Sequence, residues 1–151
     1  TLKLVGDIEL HYDADKIAFS MPNQHNSWQI CEIDTDGRNV RQLTPNEPQD
    51  VHNFDPCYLP DDRIVFASTA PLQGVPCNAS VNVAMTYRMN ADGSQIRQLC
   101  FDQDHNYCPT ITNDGRIMYL RWEYTDIPHV WGRYVATNVI HRRTSRRHPV
   151  E

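Results

Sequence analysis

The sequence lacks long hydrophobic runs, convincing helical periodicity and a basic main body. No stretch approaches the about 18 consecutive apolar residues of a membrane helix, so we expect no membrane span. No capping box precedes an apolar stripe at helical spacing, and the ten prolines are spread through the connections. These absences predict an all-β protein.

The formal net charge of −5 hides an asymmetry along the chain. Arg142, Arg143, Arg146 and Arg147 lie in the last ten residues, so the rest of the chain is distinctly acidic. Binding to a phosphate backbone requires a basic surface. We therefore expect no nucleic-acid partner.

Motifs of catalysis and cofactor attachment are also missing. The chain has no Gly-x-Ser-x-Gly, phosphate-cradling loop or His-Glu-x-x-His. Its five cysteines form no Cys-x-x-Cys and no Cys-x-x-Cys-His, which excludes the usual zinc ribbon and covalent haem attachment. We expect no cofactor within this chain.

The odd number of cysteines leaves two interpretations open. Two disulfides with one free thiol would suit an oxidising compartment, whereas five buried thiols would suit any compartment. The candidate disulfide joins Cys57 and Cys77, because each lies beside a proline in a segment that flanks the same predicted strand.

Two sequence blocks recur along the chain. A basic residue and alternating apolar residues follow an acidic turn at residues 13–20, 60–68 and 113–120, a spacing of about 50 residues that is typical of propellers and other arrays. Residues 30–43 and 87–99 each centre on Asp-Gly between alternating runs, which indicates a β-hairpin.

The second unit predicts four strands, at residues 55–60, 63–68, 84–90 and 95–99. A four-stranded antiparallel meander is a propeller blade. We therefore predict a partial β-propeller of about two and a half four-stranded antiparallel blades. The predicted blades cover residues 8–44, 54–99 and 107–137, and residues 138–151 form a basic tail that we expect to be disordered or non-native.

Closed propellers use roughly four to eight blades. A repeat unit cannot bury its apolar face alone, so we expect missing propeller blades or a second copy of the chain to cover the outer sheets. The chain would then be a fragment of a larger protein.

The Asp-Gly hairpins followed by Arg-Gln-Leu resemble the WD40-like repeats of Tol-type periplasmic propellers. Residues 8–129 resemble more closely the domain named for the hydrazine synthase alpha subunit. That resemblance is carried by residues 55–61, 63–66, 74–77 and 121–126 together with His129. It implies a bacterial protein that is periplasmic or otherwise exported, and a propeller platform whose haem or zinc would belong to the full-length parent.

The densest polar and aromatic cluster follows the third repeat. We predict that it lines a ligand site where loops gather at one end of the propeller. Its members are Arg121, Trp122, Glu123, Tyr124, Asp126 and His129. In the alternative interpretation, Trp122 and Tyr124 pack between blades while Arg121 and Glu123 pair across strands.

A second candidate site lies in the preceding connection. Asp104, His105 and Cys108 could hold a divalent metal ion with one further ligand. Alternatively, this segment is a blade connection with Asx-type turns, because the counterpart at residues 46–55 is also acidic and carries His52.

Two functions from different classes follow. The first is a non-catalytic platform of a larger exported bacterial protein, which offers a binding or assembly surface to an unknown ligand. The alternative is part of a haem-dependent redox enzyme subunit, similar to hydrazine synthase, whose cofactors lie largely outside this chain. Sugar recognition is a third hypothesis, based on the aromatic residues Trp122, Tyr124 and Trp131.

Overall fold

The computed structural model describes residues 4–75 and 78–122. This part of the chain contains twelve β-strands and no helix. The all-β prediction is confirmed, and no described segment is a helix long and apolar enough to cross a membrane.

The strands form two complete four-stranded antiparallel sheets and the start of a third. Blade 1 contains β1 (Gly6–Leu10), β2 (Lys16–Pro22), β3 (Trp28–Asp34) and β4 (Arg41–Gln42). Blade 2 contains β5 (Asn53–Tyr58), β6 (Ile64–Ser68), β9 (Met85–Met89) and β10 (Arg97–Gln98). Blade 3 begins with β11 (Asn106–Ile111) and β12 (Ile117–Arg121). A small hairpin, β7 (Gly74–Val75) and β8 (Asn78–Asn82), lies between β6 and β9.

The Asp-Gly turns join the third and fourth strands of the two complete blades. Gly37 and Gly93 have φ angles of 84° and 83°, a conformation that residues with a Cβ rarely adopt. The Gly37 N–H donates to the Asp34 carbonyl at 2.9 Å, and the Gly93 N–H donates to the Asn90 carbonyl at 2.9 Å. The predicted hairpins are present in both blades.

The hydrophobic core lies between the blades rather than within any one sheet. Successive side chains of a strand point to opposite faces. Accordingly, Ile64 and Phe66 of β6 pack in a cluster with Ala18 of blade 1, whereas Val65 packs with Ile117 of blade 3. All five residues of β6 are buried, because blade 2 is covered on both faces.

A buried carboxylate links blades 1 and 2. Glu32 accepts hydrogen bonds from Nε and Nη2 of Arg41, at 3.0 and 2.6 Å, and from the Tyr58 hydroxyl at 3.0 Å. Burial and the neighbouring Glu32 charge raise the pKa of the Tyr58 phenol. The phenol therefore stays protonated and donates to the carboxylate across the blade interface.

The first strands of the three blades lie side by side and share one irregularity. Each has a register shift beside a residue with positive φ: Asp7 at 53°, Asp55 at 52° and Cys108 at 50°. The Asp55 N–H donates to Oδ2 of Asp7 at 3.3 Å, and the Cys108 N–H donates to Oδ2 of Asp55 at 2.8 Å. These β-bulges connect each blade to the next through a carboxylate.

Blade 3 is described only to residue 122. The predicted blade boundary at residue 137 and the tail at 138–151 therefore lie outside the described residues. The strands seen in blade 3 match the positions of the first two strands of blade 2, with His105 at the position of His52.

Candidate functional site

A cleft of about 470 Å³ opens between blades 1 and 2. The described residues that line it are Trp28, His52, Phe54, Thr69, Ser80 and Asn82. Its volume falls within the range of about 300–1,000 Å³ that is usual for small-molecule sites. The cleft is the main candidate for a functional site.

The antiparallel arrangement of the sheets explains why these residues meet. Trp28 begins β3, Phe54 lies near the start of β5, and Thr69 directly follows β6. The start of one strand and the end of its antiparallel neighbour lie at the same end of a sheet. Ser80 and Asn82 come from the β7–β8 hairpin, which extends from this end.

His52 is held by backbone and side-chain bonds on both sides. The backbone N–H of His52 donates to Oγ1 of Thr69 at 2.9 Å, and the backbone N–H of Thr69 donates to the His52 carbonyl at 3.0 Å. Nδ1 of the His52 ring accepts from the backbone N–H of Trp28 at 3.4 Å. In the neutral imidazole an accepting Nδ1 leaves the proton on Nε2, so His52 can offer a ligand a hydrogen-bond donor.

The Trp28 indole is half-buried and rests on β1. A Cβ atom placed on Gly6 would lie 3.6 Å from Cζ3 of Trp28, which is ordinary contact distance. The backbone of β1 therefore supports this ring, while the hydrogen bond to His52 fixes its own backbone. The aromatic wall of the cleft is held in place before any ligand arrives.

A buried polar network adjoins two cleft residues in sequence and holds the connection between blades 1 and 2. Oε1 of Gln29 accepts from Oγ1 of Thr44 at 2.7 Å and from Nδ2 of Asn53 at 2.8 Å. Nε2 of Gln29 donates to the Val51 carbonyl at 3.0 Å. These four residues are buried; Gln29 follows Trp28 in sequence, and Val51 and Asn53 flank His52. The network therefore helps to position the cleft.

Blade 3 repeats the histidine arrangement. Nδ1 of His105 accepts from the Ala84 N–H at 3.0 Å, as Nδ1 of His52 accepts from Trp28. Burial lowers the pKa of the His105 imidazole, which favours the neutral form that can accept this bond. The recurrence favours an architectural role for both histidines: each joins its blade to the preceding one.

The predicted metal ligands occupy different surroundings. Asp104 is buried, His105 contacts Ala84 as described, and Cys108 lies in β11 with its N–H bonded to Asp55. Within residues 4–75 and 78–122, no three His, Cys, Asp or Glu side chains form a group that could hold a metal ion. The metal site stays a prediction.

The predicted ligand cluster at 121–129 is described only in its first two residues. Nη2 of Arg121 lies 3.2 Å from Oδ1 of Asp102 in an ion pair. The Trp122 ring stacks on His105, with centroids 5.7 Å apart and an interplanar angle of 20°. Glu123, Tyr124, Asp126 and His129 lie outside the described residues.

Of the two cysteines in the predicted disulfide, the structure describes one. Cys57 is buried in β5, and its predicted partner Cys77 lies outside the described residues. The Cys57–Cys77 pairing therefore stays a prediction.

Comparison with known proteins gives similarity in structure only. No protein-family model matches the chain, and no curated protein matches its sequence. A TolB protein from Agrobacterium tumefaciens superposes with a TM-score of 0.64 at 17% identity, over 86% of this chain and 42% of that one. The fold is a Tol-type β-propeller. Hydrazine synthase from Kuenenia stuttgartiensis superposes with a TM-score of 0.63 at 18% identity, over 77% of this chain and 21% of that one.

This β-propeller chain spans less than half the length of both structures. At such low identity the likeness establishes the fold, and the predicted hydrazine synthase family is not shown by it. The partial propeller predicted from the repeats is confirmed.

The sequence interpretation missed the cleft residues of the propeller. Trp28 and Phe54 were not singled out, although both are partly exposed aromatic residues. One available signal was the pattern His-Asn-aromatic-x-Pro, which occurs at 52–56 and again at 105–109. This pattern marks the start of a first strand and therefore the end of the sheet at which the cleft lies.

Proposed function

We propose that this chain supplies part of a non-catalytic β-propeller platform, and that its ligand-binding surface is the cleft between blades 1 and 2. The observation that carries the proposal is the size and lining of that cleft, about 470 Å³ with aromatic and hydrogen-bonding side chains together. Ligand sites are typically apolar concavities with a few convergent polar groups.

The rigidity of the lining supports the same conclusion. Trp28 rests on β1 and His52 is bonded to Thr69. The backbone N–H of Trp28 also donates to the His52 ring. A site that is ordered before binding does not lose side-chain freedom when the ligand arrives. A platform whose walls belong to two packed blades meets this condition.

The proposal includes additional blades. Blade 1 exposes Ile8 and Leu10, which are 69% and 54% accessible, and blade 3 exposes Met118 and Leu120. Apolar side chains at equivalent positions between blades 1, 2 and 3 are covered by the next sheet. Further blades of a longer protein, or a second copy of the chain, would cover these outer faces. The similarity to TolB supports a periplasmic or otherwise exported location within the same proposal.

A second candidate function rests on the likeness to hydrazine synthase. In that case the chain would belong to a haem-dependent redox subunit. None of the five cysteines lies in a Cys-x-x-Cys-His motif, so this chain's residues do not fit covalent haem attachment. A Soret band in the visible absorption spectrum of the longer protein would support this alternative.

The proposed platform is tested by NMR mapping of the full chain with phenol, acetamide and isopropanol. We expect all three compounds to shift the amide resonances of residues that line the cleft. The variant Ser80→Trp should place an indole in the cleft and abolish these shifts, because Ser80 lines the cleft. Ser94→Trp, at an exposed turn between β9 and β10, is the matched control and should preserve them. Shifts scattered over the surface, or unchanged in Ser80→Trp, would refute the proposal.

A further inference from the structure

The chemistry of the cleft lining points to a particular class of ligand. Trp28 and Phe54 supply aromatic surface, and Thr69, Ser80 and Asn82 supply neutral hydrogen-bonding groups. None of the described lining residues is an aspartate, glutamate, lysine or arginine. A charged ligand would lose its hydration without gaining an opposite charge, so the lining favours an uncharged one.

An aromatic face beside several hydroxyl and amide groups fits a sugar ring better than a purely apolar molecule. The C–H groups on one face of a pyranose can pack against an indole or phenyl ring. Its equatorial hydroxyl groups both donate and accept hydrogen bonds, as Asn, Ser and Thr side chains do. A purely apolar ligand would displace the water around these polar groups and offer them no hydrogen bond in return, which costs binding free energy.

We propose that the cleft binds a neutral carbohydrate. A pyranose ring lies against Trp28 or Phe54, and its hydroxyl groups bond to Asn82, Ser80 and Nε2 of His52. This proposal rests on the proposed function, since it assigns a ligand class to the same cleft. It also differs from the sequence-based hypothesis of sugar binding, which used Trp122, Tyr124 and Trp131.

The polar groups are fixed in a way that suits selection between sugars. Asn82 pairs with Gly74 in the β7–β8 hairpin, and His52 is bonded to Thr69, which directly follows β6. Hydrogen-bond donors and acceptors held by separate segments of the chain can distinguish the orientation of individual hydroxyl groups. We therefore expect one neutral disaccharide to bind more tightly than its stereoisomers.

The test is titration of the full chain with cellobiose, maltose, N,N′-diacetylchitobiose and digalacturonate, followed by amide NMR shifts and tryptophan fluorescence. At least one neutral disaccharide should shift the resonances of Trp28, His52 and Asn82, with a Kd of about 1 mM or tighter. Digalacturonate should bind at least about tenfold more weakly, because no described lining residue offers a positive charge.

Two variants test the contacts. Asn82→Ala should weaken disaccharide binding by about tenfold, the equivalent of one lost hydrogen bond. Asn113→Ala, at an exposed turn at the other end of blade 3, is the matched control and should leave the affinity unchanged. Retained affinity in Asn82→Ala would overturn the assigned contact and the proposal with it.

The outcomes separate this proposal from the one on which it rests. If no neutral disaccharide shifts the cleft resonances while phenol and acetamide do, the carbohydrate proposal is wrong and the cleft remains a ligand site. Tighter binding of digalacturonate than of the neutral sugars would also overturn it. If none of these compounds reaches the cleft, both proposals are wrong.

Discussion

Replacing Gly93 with alanine tests how blade 2 packs on blade 1. Gly93 and Gly37 occupy equivalent Asp-Gly turns with nearly equal φ angles, 83° and 84°. A Cβ on Gly37 would meet no atom within 4 Å, whereas a Cβ on Gly93 would lie 2.3 Å from the Leu43 carbonyl oxygen. The two substitutions therefore share the cost of positive φ and differ in one contact between blades.

The magnitude follows from this difference. Adopting a left-handed conformation costs a residue with a Cβ about 1–2 kcal/mol, which applies to both variants. In Gly93→Ala the obstructing atom belongs to the backbone, so the turn or blade 1 must move by a large fraction of an ångström. Overpacking of this kind costs a further 1–3 kcal/mol or so. We expect Gly37→Ala to lose about 1–2 kcal/mol and Gly93→Ala about 2–5 kcal/mol.

The assay is urea unfolding of the full chain, monitored by circular dichroism, with the free energy of unfolding and the m-value obtained for each variant. A lower midpoint with an unchanged m-value would show a loss of stability without a change in unfolding cooperativity. Equal destabilisation by the two substitutions would refute the packing of the Asp92–Gly93 turn against Leu43.

Three further predictions concern the buried glutamine network and two titratable side chains of the β-bulges. Gln29→Leu should lower the free energy of unfolding by about 2–5 kcal/mol, because the buried partners of Gln29 lose their hydrogen bonds. Gln24→Leu, on an exposed turn, should lower it by under about 0.5 kcal/mol, and equal effects in urea unfolding would contradict the network. Burial and the Asp7 carboxylate raise the pKa of Asp55, so the folded state binds the Asp55 proton more tightly than the unfolded state does. The stability that this proton contributes is lost as pH rises from about 3.9 through the folded pKa. Asp55→Asn should remove that part of the pH dependence of unfolding, and identical pH profiles for the two proteins would count against the reasoning. Partial burial and the Asp55 charge raise the pKa of the Cys108 thiol to about 12. Iodoacetamide at pH 8 should therefore modify Cys108 at least about tenfold more slowly than free glutathione, and a rate equal to that of glutathione would contradict this.

The regular part of the fold could be predicted from the sequence because local signals agree there. In blade 2 the strands predicted at 63–68 and 84–90 are found as Ile64–Ser68 and Met85–Met89. Alternating apolar residues and an Asp-Gly turn carry both the strand period and the hairpin geometry. Repetition of the same pattern reinforced each assignment.

The cleft could not be predicted in the same way. Trp28 and His52 are far apart in sequence and meet only because blades 1 and 2 pack face to face. The β7–β8 hairpin, which supplies Asn82, has no counterpart in the described blade 1 and so gave no repeat signal. Local sequence patterns do not contain such contacts between blades. The repeated His-Asn pair marks only where the first strands of blades 2 and 3 begin.

The central claim is that successive sheets pack face to face, so that the cleft forms between blades 1 and 2. The most direct measurement is the NOE between the ring protons of His11, in blade 1, and Tyr58, in blade 2, whose ring centroids lie 4.8 Å apart in an edge-to-face arrangement. We predict a strong cross-peak in the NOESY spectrum of the full chain. Its absence, in a sample that shows the expected NOEs between β2 and β3 within blade 1, would contradict the packing of the blades.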